Sequence, residues 1–217
     1  VFFRQATRWI DARRKGRAPF FAYITPNAPH APLNVPEKWE AMYQGLNLPQ
    51  QVARFFGMIA NIDDNVGRLL TRLNEWGIER DTLFLFMNDN GGTAGVNIFN
   101  AGMRGSKNTP FQGGTRAAAF YRWPGTLRPA DVNKFVTHLD VFPTFAELAG
   151  AKIPGGLQLD GRSLVLLLKD PTVPWAERNV FTHIGRWPTG QAAESKYEKC
   201  RVRNSRFSMV SLGPGQK

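Results

Sequence analysis

The chain has 217 residues, of which 42% are hydrophobic and 12% aromatic, enough for one sizeable core and incompatible with a disordered tail. The formal net charge of +11 would suit an acidic partner such as a nucleic acid or a sulfated polymer. The excess lies mainly near the two ends, in Val1–Arg17 and Lys196–Arg206, where a solvated basic face is the simpler explanation. A single cysteine, Cys200, excludes an internal disulfide and a multi-cysteine zinc site. No apolar run approaches the ~20 residues needed to cross a bilayer, so no membrane association is expected.

The first half of the chain predicts a helix, a strand and a second, longer helix. Val1–Arg17 mixes aromatic and basic residues in the manner of an amphipathic helix, and we interpret it as a helix entered in mid-domain. Pro19–Thr25 is a short aromatic and β-branched run, typical of a buried parallel strand, and a proline-rich loop follows it. Apolar residues recur at helical spacing from Val52 to Trp76, and Gly77 supplies a left-handed stop.

A second buried strand is predicted at Thr82–Met87, so that strand, helix and strand form a right-handed crossover in an α/β sheet. The glycine-rich stretch Asn88–Gly114 has little periodicity, and loops of this length in compact domains are usually functional. Thr115–Trp123 resembles another strand, and Thr137–Leu148 has a helical pattern closed by Gly150.

The tail contains two further candidate strands, around Val180–His183 and Phe207–Val210, which predict a small C-terminal subdomain. The expected fold class is therefore α/β.

The strongest local signal for chemistry is Asp89-Asn90-Gly91-Gly92, directly after the second strand. Ligands gather at the carboxyl ends of strands in open α/β sheets. Two glycines allow a sharp turn, so that the oxygens of Asp89 and Asn90 can converge on one hard cation such as Ca²⁺ or Mg²⁺. The alternative is an ordinary Asn-Gly turn.

A second signal is His30, which lies in Ala28-Pro29-His30-Ala31-Pro32 after the first strand. The flanking prolines restrict the backbone and therefore favour a preorganised role for the imidazole. Imidazole titrates near neutrality, so His30 can give a proton to a departing alkoxide. A plain hydrogen-bonding loop histidine is the alternative.

A third signal is Lys107, a compact point charge within a glycine-bearing loop, where it can hold a tetrahedral oxyanion. Arg104 and Arg116 in the same segment are alternatives for this role, and a solvated basic loop remains the simpler reading.

Together these segments resemble the sulfatase family of the alkaline phosphatase superfamily, and the likeness covers most of the chain. The matching segments occur in family order, which makes the resemblance specific. They are Pro19-Phe20-Phe21-Ala22-Tyr23, Ala28-Pro29-His30, Ile62–Gly67, Asn88-Asp89-Asn90-Gly91, Lys107–Arg116, Arg122-Trp123-Pro124-Gly125 and His138–Thr144.

The resemblance implies a function and a set of site residues. Asp89 and Asn90 would be metal ligands, commonly of calcium with Mg²⁺ as the alternative, and Lys107 would bind the sulfate group. His30 would contact the bridging oxygen and assist departure of the leaving group. The implied fold is an alkaline phosphatase-like mixed sheet flanked by helices, here incomplete, with residues 1–170 in the catalytic domain and 171–217 beginning the subdomain.

The chain also departs from the family pattern. Sulfatases need an N-terminal pair of aspartates for the metal and a Cys/Ser-x-Pro-x-Arg motif whose first residue becomes the formylglycine nucleophile. Cys200 has no such proline, and no serine fits either, so we expect the nucleophile on a missing N-terminal segment and this chain alone to be inactive. Asp63-Asp64 does not replace the missing pair, because neighbouring helical residues point about 100° apart.

Three other polar residues are assigned lesser roles. His138 and Asp140 lie near a helix start and are expected to cap or brace it. His183, with Trp187, is a candidate for the rim of a substrate site.

The implied activity is hydrolysis of the sulfate ester of a carbohydrate or an aryl sulfate. The alternatives are a phosphodiester or phosphonate hydrolase of the same superfamily and a noncatalytic binder of sulfated polymers. No nucleic-acid recognition motif is present, so no nucleic acid partner is expected. Family members of this pattern are usually exported, which implies a periplasmic or secreted location. An incomplete sheet would leave an exposed edge and apolar surface, so self-association is also expected.

Overall fold

The computed structural model describes residues 1–16 and 18–213. These residues form helices of very different length and short strands. The α-helices are α1 (Phe2–Arg13), α2 (Glu37–Glu40), α3 (Gln50–Glu75), α4 (Gln112–Thr115), α5 (Val141–Leu148) and α6 (Val165–Lys169). The strands are β1 (Phe84–Met87), β2 (Ala119–Arg122), β3 (Val180–His183), β4 (Cys200–Arg203) and β5 (Ser208–Ser211). Single 3₁₀ turns occupy Ala41–Tyr43, Glu79–Asp81 and His138–Asp140.

Helices α1 and α3 pack against each other and confirm the two helices expected in the first half. Their contact is built around Ile10, Leu69 and Leu73, which are all buried. The apolar residues of α3 recur every three or four positions, so one face is buried over 26 residues. Gly77 has a φ of +70° and its N–H donates to Asn74 O at 2.8 Å, which ends the helix as predicted.

The prediction of a paired strand at Pro19–Thr25 is wrong. The segment is extended, but in the described chain it has no ladder partner. Burial alternates along it: Phe20, Ala22 and Ile24 pack against the helical core, and the side chains between them face outward. The continuous apolar run suggested burial on both faces, whereas the structure buries one face only.

Strands β1 and β2 pair antiparallel, with Phe84 opposite Arg122 and Met87 opposite Ala119. Both are shorter than the predicted strands Thr82–Met87 and Thr115–Trp123. Because the segment before α3 is unpaired, no parallel ladder forms among the described residues, and the predicted crossover is not completed there.

The C-terminal part of the described chain contains a second sheet. Its strands are ordered β3-β4-β5 and both pairings are antiparallel. The 3₁₀ turn at His138–Asp140 leads into α5, and Gly150 with a φ of +63° follows that helix. The predicted helix Thr137–Leu148 and the two predicted tail strands are thus confirmed. The division of the chain at residue 170 stays a prediction.

Several large apolar side chains remain at the surface. Phe21 is 68% exposed and Tyr23 is 83% exposed on the unpaired segment, and Phe120 on β2 is also exposed. Among the described helices, none is both long and apolar enough to cross a lipid bilayer.

Candidate functional site

The loop that leaves β1 places Asp89 and Asn90 at the end of the two-stranded sheet. Asn88 N–H donates to Ala118 O at 3.1 Å, which extends the pairing one residue past β1. Asp89 then accepts the N–H of Asn90 on Oδ1 at 2.9 Å, and the amide of Asn90 donates to Gly91 O at 3.0 Å. Asp89 is exposed. Its carboxylate and the Asn90 side-chain oxygen therefore retain lone pairs for a ligand.

This loop is fastened to the glycine-rich segment 104–116. Gly91 N–H donates to Gly114 O at 3.0 Å, and Lys107 N–H donates to Gly92 O at 3.0 Å. A Cβ at Gly91 would lie 1.7 Å from Gly113 O, so only glycine permits this approach of the two backbones. Two of the three predicted site segments are thus in direct contact.

Segment 104–116 is held in a defined shape by its own hydrogen bonds. Gly113 N–H donates to Arg104 O at 2.7 Å, and the side-chain amide of Asn100 donates to Met103 O at 2.7 Å and to Gly105 O at 2.8 Å. Lys107 is half-buried, and no carboxylate of the described residues lies within 4.0 Å of its ammonium. Among the described residues, Lys107 is therefore a cation without a carboxylate partner, on a loop whose backbone is held in place.

His30 lies on an exposed loop of its own. Its N–H donates to Asn27 O at 2.9 Å, and its ring Nδ1 is 2.8 Å from Ala31 O. Because a carbonyl only accepts, Nδ1 carries a proton, and Nε2 of the neutral ring is an acceptor. Within the described chain no hydrogen bond links His30 to either glycine-rich loop, so its place beside Lys107 stays a prediction.

The oxygens of Asp89 and Asn90 fit a hard cation as part of a donor set. Ca²⁺ takes about 6–8 oxygen ligands, of which these two residues supply only a minority. The described residues contain no group of three or more His, Cys, Asp or Glu side chains placed to hold a metal. A complete metal site therefore requires ligands beyond this pair.

Two cavities of the described chain lie away from the predicted site residues. One has a volume of about 220 Å³, and a smaller one is lined by Leu83 and Trp123, which directly adjoin β1 and β2. The larger is lined by Asn133, Lys134, Phe135, Trp175, Ala176, Glu177, Arg178 and Ser205. Neither of these two cavities is lined by Asp89, His30 or Lys107, and the predicted meeting of the three residues around one pocket stays a prediction.

The lesser polar residues have defined partners. Asp64 pairs with Arg68 at 2.9 Å on α3, as expected for a helix-surface residue. Thr137 and Asp140 form a capping box at the start of the turn before α5, which confirms the bracing role expected of Asp140. The His183 ring contacts that of Trp187 at 4.9 Å between centroids, while a role at a substrate rim stays a prediction.

Two arginines that are largely withdrawn from solvent were not predicted. Arg178 donates from Nη1 to Asp140 Oδ1 at 2.7 Å, and Arg201 donates from Nη1 to Thr115 Oγ1 at 2.8 Å. The only available signal for Arg201 was its position in the alternating run Cys200–Arg203, and the basic C-terminal stretch made a solvated face the simpler interpretation.

Comparison with known proteins identifies the family to which the chain belongs. The sulfatase family model matches residues 1–151, which is more than half of the chain. The chain belongs to the sulfatase family. This sulfatase is 32% identical to the uncharacterized sulfatase YdeN of Escherichia coli (strain K12) over 82% of its own length and 32% of that protein. It is also 32% identical to arylsulfatase A of Homo sapiens, over 73% of its own length and 30% of that protein.

Solved structures confirm the α/β, alkaline phosphatase-like fold. The crystal structure of Ps i-CgsB in complex with k-i-k-neocarrahexaose matches this sulfatase with a TM-score of 0.81 and 28% identity, over 93% of this chain and 43% of that one. Phosphonate monoester hydrolase SpPMH from Silicibacter pomeroyi matches with a TM-score of 0.73 at 20% identity, a likeness of fold alone. The chain spans about a third of the length of the curated relatives that it matches.

Proposed function

We propose that this sulfatase chain carries one part of a site that hydrolyses sulfate esters, with the formylglycine nucleophile and the remaining metal ligands outside the chain. The observation that carries the proposal is the hydrogen bond from Lys107 N–H to Gly92 O at 3.0 Å. It joins the loop that bears the oxygen ligands Asp89 and Asn90 to the loop that bears a cation for the sulfuryl oxygens.

Asp89 and Asn90 would hold Ca²⁺, with Mg²⁺ as the alternative, through side-chain oxygens that the described chain leaves open. When bound, such an ion supplies Lewis-acid polarisation and charge neutralisation. Lys107 adds a point charge for the oxygens on sulfur, and its loop is already held in place by the backbone bonds described above.

His30 would serve the leaving group. Its Nδ1 proton is held on Ala31 O, so Nε2 carries a transferable proton only when the ring is an imidazolium. That proton would pass from Nε2 to the bridging oxygen as the bond between sulfur and that oxygen breaks, which releases a neutral alcohol.

The substrate class that fits is a sulfated carbohydrate or an aryl sulfate. Support comes from the relatives of the chain, which include arylsulfatase A, and from the structure of Ps i-CgsB, which contains k-i-k-neocarrahexaose. A phosphonate or phosphodiester substrate is the second candidate, since Lys107 as a point charge holds phosphate as well as sulfate. The likeness in fold to SpPMH, over 99% of this chain, favours keeping it.

The test is a sulfate-release assay with 4-nitrophenyl sulfate and with a sulfated oligosaccharide. We expect no turnover above background from these 217 residues alone, and turnover from the same chain extended on its N-terminal side. In the extended protein Asp89→Ala and Lys107→Ala should each lower kcat/KM by about 100-fold or more, about 2.7 kcal/mol or more of transition-state stabilisation. The matched control, Asp63→Ala on the outer face of α3, should leave it within about twofold.

Two outcomes would overturn the proposal. One is hydrolysis by the 217 residues alone, and the other is full activity of the extended Asp89→Ala protein. Faster hydrolysis of a 4-nitrophenyl phosphonate ester than of the sulfate, with the same dependence on Asp89 and Lys107, would assign the second candidate instead.

A further inference from the structure

A buried arginine without a carboxylate partner lies beside segment 104–116. Arg201 on β4 is only 7% exposed. Its Nε donates to Ser208 Oγ and its Nη1 to Thr115 Oγ1, both at 2.8 Å, so its partners in the described chain are neutral hydroxyls. A buried guanidinium is costly unless a negative group compensates its charge.

Two more arginines, Arg203 and Arg116, lie near Arg201. Arg203 is two residues along β4, so the side chains of both arginines project from the same face of that strand. Arg116 directly follows Thr115, the residue that Arg201 contacts. Burial and the neighbouring Arg203 lower the pKa of Arg201, and burial and Arg116 lower the pKa of Arg203. The three cations therefore repel one another.

The cluster has no carboxylate partner in the part of the chain that the structure describes. Within the described ranges, 1–16 and 18–213, no carboxylate lies within 4.0 Å of Arg116, Arg201 or Arg203. Arg178, by contrast, is also largely withdrawn from solvent and pairs with the buried Asp140. Among the described residues, the buried Arg201 therefore has no carboxylate to offset its charge.

Space for a ligand adjoins the cluster. The guanidinium carbon of Arg203 lies 5.0 Å from the ring centre of Phe135, and Phe135 lines the cavity of about 220 Å³. Through the hydrogen bond from Arg201 to Thr115, the cluster is also joined to the segment that carries Lys107. A ligand that contacted both the arginine cluster and Lys107 would need more than one negative group.

We propose that Arg116, Arg201 and Arg203 form an anion subsite for a sulfate or carboxylate group of an anionic glycan, a group other than the ester to be hydrolysed. This inference rests on the proposed function, which supplies the substrate class and assigns Lys107 to the sulfate that reacts. Arginine suits the task, since its planar guanidinium pairs with two oxygens of a sulfate or carboxylate at once.

The experiment measures binding by the 217-residue chain using isothermal titration calorimetry at fixed ionic strength. The probes are a heparin-derived hexasaccharide, a hyaluronan hexasaccharide that carries carboxylates alone, and a neutral agarose hexasaccharide. The double variant Arg116→Gln/Arg203→Gln removes two cations and keeps the buried Arg201, and circular dichroism checks that it folds. The matched control is Arg8→Gln/Arg128→Gln, which removes two exposed cations elsewhere.

We expect the first double variant to weaken binding of an anionic hexasaccharide by about tenfold or more, and the control to change it by less than about twofold. The two anionic probes tell whether the subsite takes sulfate or carboxylate. Equal losses in the two double variants would reduce the binding to general charge attraction and overturn the inference. So would equal binding of the neutral hexasaccharide.

The Lys107→Ala variant separates this inference from the proposed function. Loss of binding in Lys107→Ala without loss in Arg116→Gln/Arg203→Gln would place the anion at the proposed sulfate site and overturn the subsite alone. Arginine-dependent binding in a protein whose extended form releases no sulfate would instead overturn the proposed function and leave the subsite standing.

Discussion

The carboxylate of Asp140 has three hydrogen-bonding partners in the described chain. It is fully buried, and it accepts hydrogen bonds from Thr137 N–H at 2.8 Å, from Arg162 N–H at 2.9 Å and from the guanidinium of Arg178. One carboxylate thus joins the start of α5, the chain before α6 and the chain before β3. Burial and the charge of Asp140 also raise the pKa of Tyr121 on β2 to about 12, so that phenol is neutral at physiological pH.

Removing this carboxylate should be costly. We expect Asp140→Ala to lower the free energy of unfolding by about 3–5 kcal/mol, because it leaves the largely buried guanidinium of Arg178 without a compensating charge. Urea denaturation followed by tryptophan fluorescence measures the change. The control is Asp64→Ala, which removes a solvent-exposed pair with Arg68 and should cost less than about 1 kcal/mol. Similar losses in the two variants would contradict a structural role for Asp140.

The same residue predicts an acid dependence. Burial alone would raise the pKa of Asp140, but the hydrogen bonds from Arg178, Arg162 and Thr137 outweigh it, and the pKa is lowered. A carboxyl with a lowered folded pKa contributes stability above its unfolded value of about 3.9, and that stability is lost as pH falls through the folded pKa. Wild-type protein should therefore lose stability below about pH 4, and Asp140→Asn should lack this component in melting curves from pH 6 to pH 2.

At the scale of elements, the site depends on the contact between two loops rather than on one helix or strand. The turn after β1 and segment 104–116 are joined by the backbone donors of Gly91 and Lys107. Glycine is required where the loops cross, because Gly91 meets the backbone of Gly113. Such backbone bonds position side chains more reproducibly than flexible side-chain contacts do.

Gly91→Ala should therefore separate the loops. The added Cβ would lie 1.7 Å from Gly113 O, and relief of this clash should cost about 1–3 kcal/mol. The Lys107 amide would lose its acceptor, so its hydrogen exchange by NMR should accelerate at least about tenfold. The control is Gly67→Ala on α3, where a Cβ meets nothing within 4 Å and should stabilise the helix by up to about 1 kcal/mol. Unchanged exchange at Lys107 in Gly91→Ala would show that the contact does not depend on glycine.

Elements defined by local pattern were predictable, and those defined by partners were not. The bounds of α3 follow from its apolar periodicity and from Gly77, and the position of Asp89-Asn90 follows from the strand before it. Pairing of 19–25 depends on neighbours that its own residues do not encode, which is why the strand prediction failed. The burial of Arg201 depends on a contact with Thr115 across 86 positions of sequence, which no local pattern reveals.

At the scale of the whole molecule, both sheets of the described chain have unpaired strand edges. Its two sheets contain two and three strands of four residues each, and the extended segment 19–25 belongs to neither. That segment presents Phe21 and Tyr23 to solvent on one face while its other face packs on α1 and α3. Unpaired backbone next to exposed aromatic rings is a template for pairing with another chain.

We therefore expect the 217-residue chain to associate with a second copy of itself through segment 19–25. Sedimentation velocity between about 5 and 200 µM should show a rising mass, since backbone pairing and burial of both aromatic rings stabilise the associated form. Phe21→Ser/Tyr23→Ser should shift this association to at least about tenfold higher concentration. Phe99→Ser/Tyr197→Ser removes two similarly exposed rings outside the segment and should change it little, because neither ring adjoins an edge strand. A monomer at every concentration, or equal effects of the two double variants, would show that the exposed edge of this segment is not what brings copies together.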